Sequence, residues 1–189
     1  MVFTTQVFVF YFLPLFLLVY YQLPRHSRNT WITLASYVFY GWWEPWFAGL
    51  MLLTTVMDYQ WGRVITRPGA TRTQQRFAVL ACVVTNLSLL GFFKYFMFAA
   101  ETLNRLLATV GAEPFRVLHV VLPIGISFYT FHSLTYIIDL YRGHATRARS
   151  FSVFSAFVAL FPDLVAGPII RYKTLAEQLH DRDHTAARF

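Results

Sequence analysis

Charge is scarce in this sequence. Only 13% of its 189 residues are Asp, Glu, Lys or Arg, against 57% hydrophobic and 19% aromatic, a balance foreign to ordinary soluble domains. Acids are the rarer sign, nine against sixteen Lys and Arg, which leaves a formal net charge of +7. Cysteine is nearly missing. The one thiol, Cys82, lies within an apolar run, so no disulfide can form inside the chain and no CxxC or zinc spacing exists. A Walker loop, a Rossmann fingerprint, HExxH and GxSxG are absent as well. Ser127 sits in Gly-Ile-Ser-Phe-Tyr, without the second glycine of a nucleophile elbow, and reads as a helix-packing residue. No internal repeat, low-complexity tract or linker divides the chain, which reads as one membrane domain over 1–189.

What is present is apolar and helical in pattern. Mean hydropathy is +0.47, and twenty Phe, eleven Tyr and five Trp suit lipid-facing surfaces and interfacial belts better than one soluble core. The expected fold is all-α and polytopic, with five to six membrane segments. The basic excess lies in short loops between apolar runs, where it orients helices and meets anionic headgroups; it is not a nucleic-acid footprint. Val7 to Tyr21 is the first expected span, kinked at Pro14. No basic residue precedes it and no small-x-small site follows, so it does not read as a cleaved signal peptide. Arg25, His26 and Arg28 then predict a cytoplasmic loop and an external Met1. Trp31 to Trp43 and Trp46 to Trp61 form an expected helical hairpin turning at Glu44-Pro45, with Trp42, Trp43 and Trp46 at an interface. Asp58 lies near the end of the second arm, where an ordinary helix-end carboxylate is the preferred reading over an internal polar group. Arg63, Arg67, Arg72 and Arg76 mark a second cytoplasmic loop. Phe77 to Phe98 is the next span, with Asn86 and Ser88 inside it, and residues 99–116 are expected to form an external loop.

The stretch from Val117 to Arg142 is long and apolar enough to cross a bilayer, yet it carries His119, Pro123, His132 and Asp139. At helical spacing Gly125, Tyr129, His132, Tyr136 and Asp139 share one face, and Ile124, Phe128, Phe131 and Ile138 another. Two readings stand for the polar face: hydrogen-bonding glue between helices, or the lining of a polar interior. Arg142 follows Asp139 by three positions, so the acid can hold its guanidinium at the cytoplasmic boundary. Arg147 and Arg149 continue the basic loop.

Phe151 to Ile170 has the length of a crossing but contains Pro162, Asp163, Gly167 and Pro168, with Arg on both flanks. A broken, re-entrant element reconciles these facts, since irregular backbone at membrane depth needs protein or a wet cavity around it. One kinked crossing is the alternative. Asp163 is then a helix N-cap or a cavity group. Residues 172–189 are polar, and their sudden end suggests a fragment of a longer protein.

Four segments resemble the membrane-bound O-acyltransferase family, in its bacterial alginate O-acetylase branch: MVFTTQVFVFYFLPLFLLVYY, ASYVFYGWW, LPIGISFYTFHSLTYIIDLYRG and LFPDLVAGPIIRYKTLAEQL. The likeness runs from Met1 to about Leu179 and matches the amino-terminal part of such an enzyme. It implies a multi-pass protein of the bacterial inner membrane that takes acetyl from acetyl-CoA and passes it toward an exported polysaccharide or a periplasmic polysaccharide acetyltransferase partner. No permanently bound cofactor and no metal are implied. The family's catalytic histidine lies on a later segment, in a tryptophan- and glycine-rich motif that this chain lacks, so no catalytic residue is assigned here. The resemblance makes Tyr129, His132, Tyr136, Asp139 and Asp163 candidates for a tunnel wall, and Arg142 a candidate for the phosphates of the donor. A sister branch of the family, acylating cellulose or teichoic acid, is the nearest alternative, and a transporter or scaffold fits the composition equally well.

Overall fold

Helix boundaries in the computed structural model follow local chemistry, and several depart from the expected ones. The structure describes residues 5–42, 44–117, 119–167 and 171–174. Met1, Trp43, Pro168 and the end of the polar tail, which entered the expectations above, lie outside the described residues. Among the described residues the fold is all-helical, without a strand: α1 Leu13–Gln22, α2 Arg25–Gly41, α3 Pro45–Ile65, α4 Arg72–Thr109, α5 Ile126–Arg142, α6 Phe151–Val158 and α7 Phe161–Ala166.

At Pro14 the helix departs from regular α geometry. A π-helical stretch, Phe8–Phe12, precedes α1, and the Leu13 amide reaches back to the Phe8 carbonyl. The widened turn carries the carbonyls clear of a proline ring that would clash with the one four residues before it, and it absorbs the missing N–H. Arg25, His26 and Arg28 are also not in a loop. Only Leu23 and Pro24 separate α1 from α2, and the three basic residues lie in the first turns of α2.

The α2/α3 hairpin is present, with extended Glu44 as N-cap and Pro45 at the first helical position, where its missing amide costs nothing. At the start of α4, the Thr71 hydroxyl accepts from the Gln74 amide at 3.3 Å while the Gln74 side chain accepts from the Thr71 amide at 3.1 Å, a reciprocal cap. From there α4 runs 38 residues, about 57 Å. It absorbs Glu101 and Arg105, which were expected in a loop.

The stretch from 117 to 142 is not one continuous crossing. Its helix begins only at Ile126, because Pro123 lacks a donor and Gly125 adopts φ 80°. A side chain at Gly125 would also meet the Leu164 carbonyl at 2.7 Å, so this glycine lets the entry of α5 press against α7. The last apolar run is broken, but ahead of Pro162 rather than at it: α6 ends at Val158 and α7 starts at Phe161. Asp163 is not an N-cap. Leu160 holds that position, and the Phe161 amide donates instead to the buried Ser36 hydroxyl of α2 at 3.3 Å.

Helix α5 packs against α3, α4, α6 and α7, while α2 packs against α3 and α6. The main core gathers around α5, and a smaller aromatic one joins Phe8, Phe39 and Phe161. Outside them the surface is strongly apolar: Trp46 is 85% exposed, Phe98 71% and Phe10 70%. Of the five to six expected crossings, one described helix, α4, is by itself long and apolar enough to span a bilayer, and only 17% of its most apolar stretch is buried. Phe8–Gln22 and Phe151–Leu164 are shorter apolar helical segments.

Candidate functional site

Tyr129, His132, Tyr136 and Asp139 all face inward, as their 3-4-3 spacing on α5 requires once one side of the helix is covered. Ile124 and Phe131 are exposed, and Phe128 and Ile138 are half-buried. Tyr136 reaches deepest. A side chain at Gly62 would lie 2.8 Å from its ring, so α3 leaves the space the phenol fills. Its oxygen accepts from the Ala148 amide at 3.3 Å, and its ring packs on Phe154 and Tyr172 at 4.5 and 4.7 Å. The His132 ring meets Phe157 edge-on at 5.2 Å, and its Nδ1 has no hydrogen-bond partner.

Above His132 the seam widens across four helices. Tyr129 of α5 meets Tyr40 of α2 ring to ring at 6.3 Å, and both hydroxyls are buried without a partner. Tyr37 donates to the Thr55 hydroxyl at 3.3 Å and interacts with Ser155 of α6. Tyr172 packs at the other end, on Tyr136 and Phe157, its hydroxyl also unpartnered. A buried polar atom without a partner costs about 1–3 kcal/mol.

A second polar cluster was not expected. Asp58 is 1% exposed, and its Oδ1 accepts from Asn86 Nδ2 at 2.8 Å and from the Cys82 thiol at 3.1 Å. Ser133 of α5 interacts with the same carboxyl. Asp58 is therefore an internal group tying α3, α4 and α5 together, not an ordinary helix-end acid. The missed signal lay in its own helix. Met51, Thr54, Thr55, Asp58, Gly62 and Ile65 are the buried positions of α3, and they repeat every three or four residues.

The structure separates other candidates. Asp139 is buried with Oδ2 unpartnered, Arg142 is exposed, and among the described residues no ion pair joins them. The guanidinium is not held by that acid. The α5 terminus is closed by backbone instead: Gly143, at φ 72°, donates to the Leu140 carbonyl, and His144 to that of Asp139. Asp163 is half-buried against Gly167, whose Cβ position lies 2.6 Å from its Oδ1. His119 is exposed, far from the role a buried base would need. Among the described residues no three His, Cys, Asp or Glu side chains could together hold a metal ion.

Known proteins resemble this chain over its whole length. A probable alginate O-acetylase of Azotobacter vinelandii is 48% identical over 190 residues, which is 100% of this chain and 38% of that protein. The chain is related over its whole length to the alginate O-acetylases. A second probable alginate O-acetylase, from Pseudomonas aeruginosa, is 46% identical over 100% of this chain and 36% of its own length. More distant is a peptidoglycan O-acetyltransferase of Helicobacter pylori, 29% identical over 97% of this chain and 40% of the relative. The chain thus spans little more than a third of the alginate O-acetylases it matches. No family model and no solved structure matches it. Tyr129, His132, Tyr136, Asp139 and Arg142 all fall within the compared length.

Proposed function

We propose that this chain is part of a multi-pass inner-membrane O-acetyltransferase, which passes acetyl from acetyl-CoA in the cytoplasm toward an exported polysaccharide, alginate first among acceptors. One observation carries the reading: phenols, His132 and two carboxyls are buried within an otherwise apolar core while Phe, Leu and Trp also cover the outside, in a chain that aligns end to end with alginate O-acetylases. The helix lengths support it. α3 has 21 residues and α2 and α5 have 17 each, near the roughly 20 that a crossing needs. The broken α6/α7 element, covered by protein, is the one form in which irregular backbone is tolerated at that depth.

In this reading the chain supplies wall rather than base. An acetyl thioester is already activated, so the path must mainly exclude water and offer donors to the carbonyl oxygen. The hydroxyls of Tyr40 and Tyr129 are buried donors of that kind. The base for the acceptor hydroxyl is expected outside this chain, and a missing base lowers rate by about 10²–10⁴-fold. The chain alone therefore transfers no acetyl. Arg142, exposed at the end of α5, is the proposed contact for donor phosphates; in the complete protein, Arg142→Lys should weaken donor binding if a bidentate fork is needed. A periplasmic polysaccharide acetyltransferase is the expected receiver of the group.

The deciding experiment deletes the coding region in its own strain and measures acetyl per sugar on exported polysaccharide and on peptidoglycan. Loss on the exopolysaccharide, restored by the intact gene, is the expected result. Loss confined to peptidoglycan would move the acceptor to the class named for the Helicobacter pylori relative. Reduced export with unchanged acetyl per sugar would overturn the reading in favour of a transporter.

A further inference from the structure

We propose that the turn between α3 and α4 binds the headgroup of an anionic phospholipid, with one acyl chain laid along α4. The site is an open cavity of about 380 Å³ lined by Val64, Arg67, Ala70, Thr73, Gln74 and Phe77. Its lining is amphipathic. Arg67, Thr73 and Gln74 supply a cation and hydrogen-bonding groups, while Val64 and Phe77 supply an apolar edge. Thr73 and Gln74 belong to the first turn of α4, so the positive end of a long helix dipole lies beside the cavity.

Charge selects an anion. No Asp or Glu occurs from 59 to 100, whereas Arg63, Arg67, Arg72 and Arg76 crowd this corner. Three of the four are engaged by the protein. Arg63 donates to the Gln60 side chain at 3.2 Å, Arg72 lies 5.3 Å over the Tyr141 ring, and Arg76 Nε donates to the Tyr141 hydroxyl at 3.4 Å. Arg67, which lines the cavity, has no side-chain partner among the described residues.

The surface beyond the cavity selects a lipid rather than a small anion. Phe77 forms its apolar edge, and Leu80, Val84 and Leu87 continue from it at helical spacing along α4. All four are exposed, at 64%, 61%, 53% and 44%. The stripe is about 15 Å long at 1.5 Å per residue. Inorganic phosphate would use the cation and leave the stripe uncovered; a phospholipid uses both. The inference rests on the bilayer placement proposed above and not on the acetyl-transfer chemistry.

The test reconstitutes the full chain with mixtures of phosphatidylglycerol and phosphatidylcholine, and counts retained lipid by native mass spectrometry. Preferential retention of phosphatidylglycerol is expected, and Arg67→Gln should lower that preference about fivefold, the worth of one cation at an anionic surface. Arg67→Lys should keep most of it. Leu80→Ser should weaken retention of phosphatidylglycerol without disturbing the cavity, and inorganic phosphate should not displace the lipid. Equal retention of both lipids, an unchanged preference in Arg67→Gln together with unchanged retention in Leu80→Ser, or displacement by phosphate would each overturn the lipid site. A chain that enters vesicles of neither composition would instead overturn the bilayer placement and the lipid site together.

Discussion

Helices α4 and α5 lie against each other, yet each does what the other would do in a water-soluble protein. α4 contains the long apolar stretch, and only four of its 38 residues are buried. α5 carries Tyr129, His132, Tyr136 and Asp139, and ten of its 17 residues are buried. In water this assignment gives up the hydrophobic term on α4 and adds a desolvation cost on α5. Surrounded by hydrocarbon, the signs reverse: exposed Phe and Leu cost nothing, and polar groups gain by turning toward one another. The contrast is the one expected of a chain placed in a bilayer, as proposed above.

The comparison can be broken at its hinge. Gly125→Val should have the largest effect, because it puts a β-branched residue at φ 80° and drives a side chain into the Leu164 carbonyl. The backbone conformation alone costs about 1–3 kcal/mol, with the clash added to it. Thermal unfolding in detergent should show a drop of several degrees or outright failure to fold; an unchanged midpoint would mean that α5 and α7 do not pack as described.

The same substitution on the two helices sharpens the contrast. Leu134→Ala, on the buried face of α5, should cost about 2–4 kcal/mol, whereas Leu80→Ala, on the exposed face of α4, should stay within about 0.5 kcal/mol. Equal losses from the two would place α4 inside the protein and remove the inversion. Detergent-induced unfolding of the paired variants measures both.

Asp58→Ala probes the polar tie between α3, α4 and α5, leaving the Asn86 amide and the Cys82 thiol without their acceptor. A loss of about 1–3 kcal/mol is expected. Asp58→Asn should recover most of it, since Oδ1 survives as an acceptor, and a double-mutant cycle with Asn86→Ala should show coupling. Additive losses would show that the 2.8 Å contact contributes nothing to stability. A small effect is expected of Tyr136→Phe. It removes the acceptor of the Ala148 amide and should cost about 1 kcal/mol while leaving the ring packing intact. Faster hydrogen exchange confined to the segment around Ala148 would confirm the assignment, and unchanged exchange there would refute it.

Much of this was legible in the order of residues, because helical spacing is a local property. Four residues on one stripe of α5 announced an inward polar face, Trp-Glu-Pro announced the α2/α3 turn, and Pro162 with Gly167 announced a broken last element. The scarcity of charge and the apolar runs marked the chain as foreign to ordinary soluble domains, whereas Arg25, Arg28, Arg63, Arg72 and Arg76, expected in loops, lie in helices. What stayed hidden depended on neighbours distant in sequence. Asp58 looked like a helix-end acid until Cys82 and Asn86, 24 and 28 residues later, were seen to donate to it. Asp163 looked like a cap until Ser36, 125 residues before Phe161, took the amide of α7. Asp139 and Arg142 were close enough along the helix to pair. The packing of α5 nevertheless buries one and leaves the other outside. Periodicity can say which residues share a face, but whether that face meets a donor, an aromatic ring or solvent is set by contacts that no local pattern encodes.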